Sequence, residues 1–440
     1  MAIGVEAAVE AVEIEAFADK IPSLIPTSNT FYNLAKDRFT KKPVSNITEG
    51  GSTPRPSFRV PFRAQGGAAI VQGTGNGDSF GTGNASQWQS FVLSPVFHYA
   101  VNQTTHLAML ATEGKQRGLI NLKAEELKNS FDSAMAGLEG VMYGDSSGAI
   151  TQIPVGSTIS SSSGTLNATS FISGVRAMAF TDNQIIQIFP SEGGTARGVA
   201  TISVNQPETS TLWFSTALPA GTAVGDYIMI SGSSGVLGQG VYGTTAWQNS
   251  ATAGTIAGQN RANFPGRIST PSINLAGGSI TASLSQRIEA LLGRAMGADN
   301  KAKDSGVYLF TEGQSYAQAT TTYYNKQINV QPSNDSGNSG KVPDVSKKYF
   351  SGTFGSHEVK VSFAQPLGRI DLLLTDTWSI GELVPLQLFK FGDGSTFASV
   401  PASGGGWTSG FQFIYEAGFN LANSAPRLGA YVYGASEPTI

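Results

Sequence analysis

The chain has 440 residues, which is enough for roughly two to four domains of ordinary size. Charged residues make up only 13% of it, and the formal net charge of −3 argues against a protein that wraps nucleic acid with a dominant basic surface. The sequence has no cysteine, so disulfides, thiolate metal ligands and thiol nucleophiles are excluded. The acidic start lacks the basic region of a signal peptide, and no window approaches the roughly 18 apolar residues of a membrane span. We therefore expect a protein that is made and used in the cytoplasm, or in a particle assembled there.

Residues 1–50 are predicted to form an amino-terminal arm. Val5, Val9, Val12 and Ala16 have helical spacing over residues 5–18, and a second helical piece, FYNLAKDRF, follows two prolines. The apolar content is too low for a separate core, yet the aromatic side chains need a surface to cover them. We expect the arm to pack on something else.

Residues 51–96 are predicted to form an extended β-hairpin. The segment PRPSFRVPFRA alternates, with Phe58 and Phe62 on one face and Arg59 and Arg63 on the other. A glycine-rich tip covers residues 66–83, and the segment WQSFVLSPVFHYA returns as the second strand. Because an isolated two-stranded ribbon is marginally stable in water, this hairpin also needs a partner surface.

Residues 118–143 give the strongest helical pattern of the chain. One face carries apolar side chains at the i, i+4, i+7 spacing of a buried stripe. The core of this helix is predicted to consist of Leu127, Phe131, Met135 and Leu138.

The rest of the chain alternates between sheet-like and helical patterns. Residues 150–270 have few charges and contain short strand patterns such as ATISV, TLWFST and DYIMIS. An amphipathic helix is predicted over residues 279–297, followed by a strand at 307–310 and a second helix near 312–325. The segments FQFIYEAGFNLA and LGAYVYG are predicted strands near the end.

No motif supports an enzyme. The glycine-rich segment at 73–83 lacks the lysine and the following helix of a phosphate-binding loop. The three histidines, His98, His106 and His357, have no metal-site spacing, and packing roles are favoured. We predict no catalytic residue, no metal and no cofactor.

Charge is unevenly distributed near the amino terminus. Residues 1–19 carry five acids and no base, whereas residues 36–63 carry seven bases and two acids. Solubilising charge and nucleic-acid binding are alternatives, but the phenylalanines alternate away from the arginines, which disfavours nucleic acid. The third interpretation is pairing between identical subunits. The predicted intersubunit contacts are Lys36, Arg38, Lys41, Lys42, Arg55, Phe58, Arg59, Phe62, Arg63, Glu6, Glu10 and Glu13.

Taken in order, these pieces resemble the major capsid proteins of tailed phages with the Hong Kong 97-type fold. The resemblance implies an α+β fold with an amino-terminal arm, an extended β-hairpin loop, a long spine helix and a β-rich insertion. The implied parts are the arm (1–50), the extended loop (51–96), a peripheral domain with the spine helix (97–150), a β-rich insertion (151–270), an axial domain (271–400) and returning strands (401–440).

The resemblance implies a structural protein that self-assembles, through hexameric and pentameric capsomers, into the icosahedral head of a bacteriophage. That shell encloses DNA without sequence-specific binding, is assembled in the host cytoplasm, and involves no membrane. Portal, scaffolding and decoration proteins are the other implied partners. The alternative is a β-rich fibre, decoration or cell-surface binding protein, which the arm and the long helix do not fit.

Overall fold

The computed structural model describes part of the chain. The described residues are 30–47, 55–65, 85–105, 122–153, 157–160, 165–167, 180, 182–191, 194–206, 211–230, 240–278, 282–296, 305–311, 348–352, 355–366, 368–401 and 407–435. Several predicted features lie outside these residues: the helix over 5–18, Glu6, Glu10, Glu13, the glycine-rich tip at 66–83, His106 and the helix near 312–325.

The described residues form both helices and strands. The helices are α1 (Thr30–Arg38), α2 (Leu122–Val141), α3 (Thr244–Trp247), α4 (Pro265–Ile268) and α5 (Ala282–Met296). The first strands are β1 (Thr40–Lys42), β2 (Ser45–Ile47), β3 (Arg55–Gln65), β4 (Gln87–Leu93), β5 (Val96–Thr105), β6 (Ala149–Gln152), β7 (Thr158–Ser160), β8 (Thr165–Asn167), β9 (Ile185–Phe189), β10 (Gly198–Gln206), β11 (Thr211–Phe214) and β12 (Tyr227–Ile230). The later strands are β13 (Thr255–Ile256), β14 (Gln259–Asn260), β15 (Ser272–Asn274), β16 (Gly306–Thr311), β17 (Lys348–Gly352), β18 (Gly355–Ser362), β19 (Ile370–Leu374), β20 (Trp378–Leu388), β21 (Ala398–Pro401), β22 (Trp407–Asn423) and β23 (Ala430–Tyr433).

A five-stranded sheet is built around the long strand β22. This strand pairs antiparallel with β20, β21 and β5, and β1 from the arm adds parallel to β20. Helix α2 lies against the sheet, where Ala134 packs with Phe413 and Tyr415, and the Tyr415 hydroxyl donates a hydrogen bond to the carbonyl of Leu127 over 3.2 Å. The sheet therefore supports the long helix on one of its faces.

A seven-stranded antiparallel sheet comprises residues from β6 to β12, in the order β6-β12-β9-β10-β11-β8-β7. The predicted strand patterns ATISV, TLWFST and DYIMIS are present as β10, β11 and β12. Ile186, Ile188, Ile202, Leu212 and Ile228 belong to an apolar cluster of their own. Residues 149–230 thus have a core distinct from the main one.

A six-stranded mixed sheet has the order β15-β23-β19-β16-β18-β17. Helix α5 covers it with the buried Leu284 and Ile288, which join a cluster that includes Tyr308, Leu372 and Val432. The predicted strands FQFIYEAGFNLA and LGAYVYG are present as β22 and β23, which belong to two different sheets. The turn at Pro426–Leu428 separates them, because its short 3₁₀ helix redirects the chain between the two strands.

The main core unites the arm, the hairpin and the body of the protein. Phe31, Tyr32, Leu34 and Phe39 from the arm are buried in the same cluster as Trp247 and Trp378. The surface on which residues 30–47 pack is therefore their own chain. No helix in the described part of the chain combines the length and apolarity that crossing a membrane requires.

Candidate intersubunit surface

The inner face of the hairpin belongs to its own subunit. β3 and β4 pair antiparallel, and Phe58 and Phe62 on β3 are 1% and 3% exposed within the single chain. The Phe62 ring stacks on Phe91 with ring centroids 4.4 Å apart and meets the edge of Phe264 at 5.6 Å. The prediction that Phe58 and Phe62 contact a neighbouring subunit is therefore wrong, because the core of their own chain covers them.

The outer face of the hairpin carries the arginines. Arg59, Pro61 and Arg63 are exposed, and the antiparallel register places Val92 opposite Arg59 and Trp88 opposite Arg63. The Trp88 side chain is 64% exposed, and Arg63 donates a hydrogen bond to the Ser86 hydroxyl over 3.2 Å. The outer face is thus a basic surface that also presents a large aromatic ring.

Arg38 in the arm is paired within its own chain. One nitrogen of its guanidinium lies 2.6 Å from a carboxylate oxygen of Glu358, whose other oxygen lies 3.0 Å from the ammonium of Lys360. Burial tends to raise the pKa of Glu358, but the hydrogen bonds and positive charges of Lys360 and Arg38 outweigh that effect and lower it. Arg38 was predicted to contact a neighbouring subunit, whereas its charge is balanced by Glu358 of the same chain.

The other basic residues of the predicted contact set are differently placed. The Lys36 ammonium lies 5.2 Å from the centre of the Tyr32 ring, in a cation–π contact. Lys41 and Lys42 lie on β1, beside Ile380 and Gly381 of β20. Arg55 is exposed at the start of β3. Their contacts with other subunits remain predictions.

A buried carboxylate joins the arm to the long helix. Glu139 in α2 is fully buried and accepts backbone N–H hydrogen bonds from Phe31 at 2.9 Å and Tyr32 at 2.7 Å. The hydroxyl of Ser362 donates a third bond, at 2.6 Å, to the same carboxylate. The N–H groups of a first helical turn have no partner within the helix, so Glu139 satisfies two such groups of α1. Burial raises the pKa of Glu139 to about 7, although these three hydrogen bonds oppose the shift.

Sequence reasoning missed Glu139, although its position carried a signal. The residue lies four positions after Met135 and directly follows Leu138, both of which are buried at 8% and 4% exposure. An acid inside an apolar stripe has to find polar partners when the stripe is buried. Trp88 was also missed, and its position three residues before Phe91 already assigned it to the opposite face of β4.

The four residues predicted as the core of the long helix differ in burial. Met135 and Leu138 are buried, whereas Leu127 is partly buried and packs against the cluster around Phe413. Phe131 is 39% exposed, so its prediction as a core residue is wrong. Helix α2 contributes residues to two apolar clusters, and Phe131 belongs to neither; its ring lies at the edge of the second, 5.6 Å from that of Tyr415.

The described histidines occupy packed positions in strands. His357 on β18 is fully buried, with its ring 5.7 Å from that of Tyr308, and His98 on β5 lies 6.0 Å from the ring of Phe419. Burial lowers the pKa of His98 to about 4. Among the residues that the structure describes, no group of three or more histidines and acids is placed to hold a metal ion.

These sheets, with the long helix laid across one and the hairpin attached to the core, form the fold of a phage capsid subunit. The structure is similar to a chain of the cyanophage A-1(L) capsid asymmetric unit, with a TM-score of 0.52 and 11% sequence identity. The similarity covers 97% of this chain and 99% of that chain. It therefore extends over nearly the whole length of both chains, and it establishes the fold.

Two further capsid structures are similar over nearly the whole chain. The capsid of a native GTA particle matches with a TM-score of 0.44 and 10% identity, over 99% of both chains. The capsid of the Myoviridae phage XM1 matches with a TM-score of 0.43 and 8% identity, over 96% of this chain and 97% of that chain. No family model and no curated protein matches the sequence.

Proposed function

We propose that this protein is the major capsid protein of a tailed bacteriophage, which self-assembles into the icosahedral head that encloses the DNA. The observation that carries the proposal is the fold shared with the cyanophage A-1(L) capsid chain over 97% of this chain. Its role is structural rather than enzymatic. The fibre, decoration or cell-surface alternative has no comparable support, since the chain is similar to a capsid chain over 97% of its length.

The finer assignment is the Hong Kong 97-type fold. In this proposal α2 is the spine helix of the peripheral domain, β3 and β4 form the base of the extended loop, and the sheet with α5 is the axial domain. The separate core of residues 149–230 supports an inserted domain, which is shorter than the 151–270 expected because residues such as Val241, Trp247 and Ile268 belong to the main core. Subunits join as hexameric and pentameric capsomers, with portal, scaffolding and decoration proteins as further partners in the virion.

Expression of the full chain, alone and together with the other head proteins of the phage that encodes it, tests the function. We expect capsomers in gel filtration and closed particles in negative-stain electron micrographs. A small defined oligomer, such as a trimer, under both conditions would contradict the shell and favour the fibre alternative. A monomer that persists under crowding and beside its co-expressed partners would exclude both.

A further inference from the structure

We propose that the outer face of the hairpin, formed by Arg59, Pro61, Arg63, Trp88 and Val92, binds the acidic amino-terminal segment, residues 5–19, of a neighbouring copy of this chain. The inference rests on the proposed function, since the shell supplies the neighbouring copy.

The hairpin has one face available for such a contact. Its inner face is committed to the subunit core through Phe58 and Phe62, so a partner has access to the outer face alone. There Trp88, 64% exposed, lies directly opposite Arg63. Tryptophan and arginine are the residues most enriched in the strongly contributing positions of protein interfaces. An exposed pair of this kind, next to Pro61 and Val92, is suited to a partner that is both acidic and apolar.

The arginines of this face lack acidic partners in the described part of the chain. Arg38, which lies in the same basic stretch of sequence, pairs with Glu358. Arg55, Arg59 and Arg63 form no ion pair among the described residues, and the one side-chain partner found for Arg63 is the neutral hydroxyl of Ser86. The positive charge of the outer face is therefore available to an acidic segment from outside the described residues.

Residues 5–19 have the complementary charge. They carry Glu6, Glu10, Glu13, Glu15 and Asp19 and no lysine or arginine. They also carry the apolar side chains Val5, Val9 and Val12. Opposite charges across an interface raise the rate of encounter and fix the register, while the apolar side chains cover the exposed ring.

The spacing of the two sets of charges is also compatible. Arg59 and Arg63 are four residues apart on a strand, which separates their Cα atoms by about 13 Å. In the helix that the sequence predicts over residues 5–18, Glu6 and Glu13 are about 10 Å apart along the axis, within reach of both long arginine side chains. Val5, Val9 and Val12 follow the same helical spacing and lie next to these acids. One helix laid along β3 thus brings acids to the arginines and valines to Trp88.

Disulfide trapping tests this contact directly, because the chain has no cysteine of its own. One chain carries Val9→Cys, and a second, differently tagged chain carries Ser90→Cys on the outer face, opposite Pro61. The two are assembled together into particles and oxidised with glutathione disulfide. A disulfide forms only when the two Cα atoms lie within about 7 Å of each other, so cross-linking reports the proposed contact. We expect a cross-linked pair of twice the 45.9 kDa chain on a non-reducing gel.

A matched control uses Val9→Cys with Thr216→Cys, an exposed position beyond β11, and is expected to give no cross-linked pair. Assembled particles without the Val9–Ser90 cross-link would overturn the proposal. In a further variant that carries both cysteines on one chain, a disulfide that forms only within that chain would overturn it too. If the parent chain forms no particles at all, the proposed function fails and this inference fails with it, so particle images distinguish the two failures.

A charge exchange gives a second, independent test. Arg59→Glu with Arg63→Glu is expected to reduce the Val9–Ser90 cross-link to the level of the control pair. Adding Glu6→Lys, Glu10→Lys and Glu13→Lys to the chain that carries Val9→Cys is expected to restore the cross-link, since the attraction returns with both signs reversed. A cross-link that survives the arginine reversal, or that the exchange does not restore, would overturn the role of charge in this contact.

Discussion

The ring of Phe58 occupies the space into which residue 381 would project a side chain. An ideal Cβ atom built on Gly381 overlaps the Cδ1 and Cε1 atoms of Phe58. Gly381 lies on β20 beside Lys42 of β1, so the arm, the hairpin and the central sheet meet at this position. A glycine is needed here because only hydrogen leaves room for the ring.

Gly381→Ala is expected to destabilise the subunit by about 1–3 kcal/mol, the range observed when a packed core receives an extra carbon. Chemical unfolding of unassembled subunits measures the change. Gly392→Ala is the matched control, because a Cβ atom there meets nothing within 4 Å. Adding Phe58→Leu should recover part of the loss by freeing space. Equal stability of Gly381→Ala and the control would show that the Phe58 ring is not fixed in this position.

The two faces of the hairpin illustrate what the sequence can and cannot predict. Alternation along β3 assigned Phe58 and Arg59 to opposite faces correctly, because the two-residue period of a strand is a local property. It did not identify what covers the Phe58 face. That surface includes Gly381, which lies far along the chain and has no local signal for this role. The same limit explains β22 and β23, since strand patterns do not specify which sheet a strand joins.

Two substitutions in α2 test how this helix divides between its clusters. Leu138→Ala is expected to lower the free energy of unfolding by about 2–5 kcal/mol, because the side chain is 4% exposed in the main core. Phe131→Ala is expected to cost less than the roughly 3–5 kcal/mol of a fully buried phenylalanine, because its ring is 39% exposed. Unfolding of both variants by urea checks the order. A larger loss for Phe131→Ala would contradict the assignment of its ring to the edge.

Because Glu139 is buried, the free energy of unfolding of the subunit is expected to depend on pH. Its pKa is raised from 4.5 to about 7 in the folded chain, so folding favours the protonated form. The corresponding stabilisation is fully present below pH 4.5 and is lost as the pH rises through 7, an effect of about 3 kcal/mol. Glu139→Gln removes this ionisation. We therefore expect the stability of the parent chain relative to Glu139→Gln to fall as the pH rises from 4.5 to 7.

Urea unfolding of both chains at several pH values in this range measures the difference. His98 acts in the opposite direction, because burial lowers its pKa to about 4; its stabilisation is present above pH 6.5 and is lost as the pH falls through 4. His98 is the same in both chains, so its effect cancels in the comparison. A difference that stays constant from pH 4.5 to 7 would show that Glu139 is not buried in the folded subunit.

Reversal of the outer arginines separates assembly from folding. Arg59→Glu with Arg63→Glu leaves the inner face of the hairpin unchanged, so we expect soluble subunits with a circular dichroism spectrum close to that of the parent. Each copy of the contact in the shell becomes repulsive, and a closed particle repeats that contact many times, so we expect no closed particles at low salt.

Arg59→Ala with Arg63→Ala removes the attraction without adding repulsion and should assemble to an intermediate extent. Raising the salt concentration should narrow the gap between the two variants, since exposed charges are screened over about 10 Å at 0.1 M salt and over less at higher concentrations. Electron micrographs and sedimentation quantify the particles. Normal particles from the double reversal would show that this face is not an interface, whereas an unfolded subunit would show that the arginines stabilise their own chain.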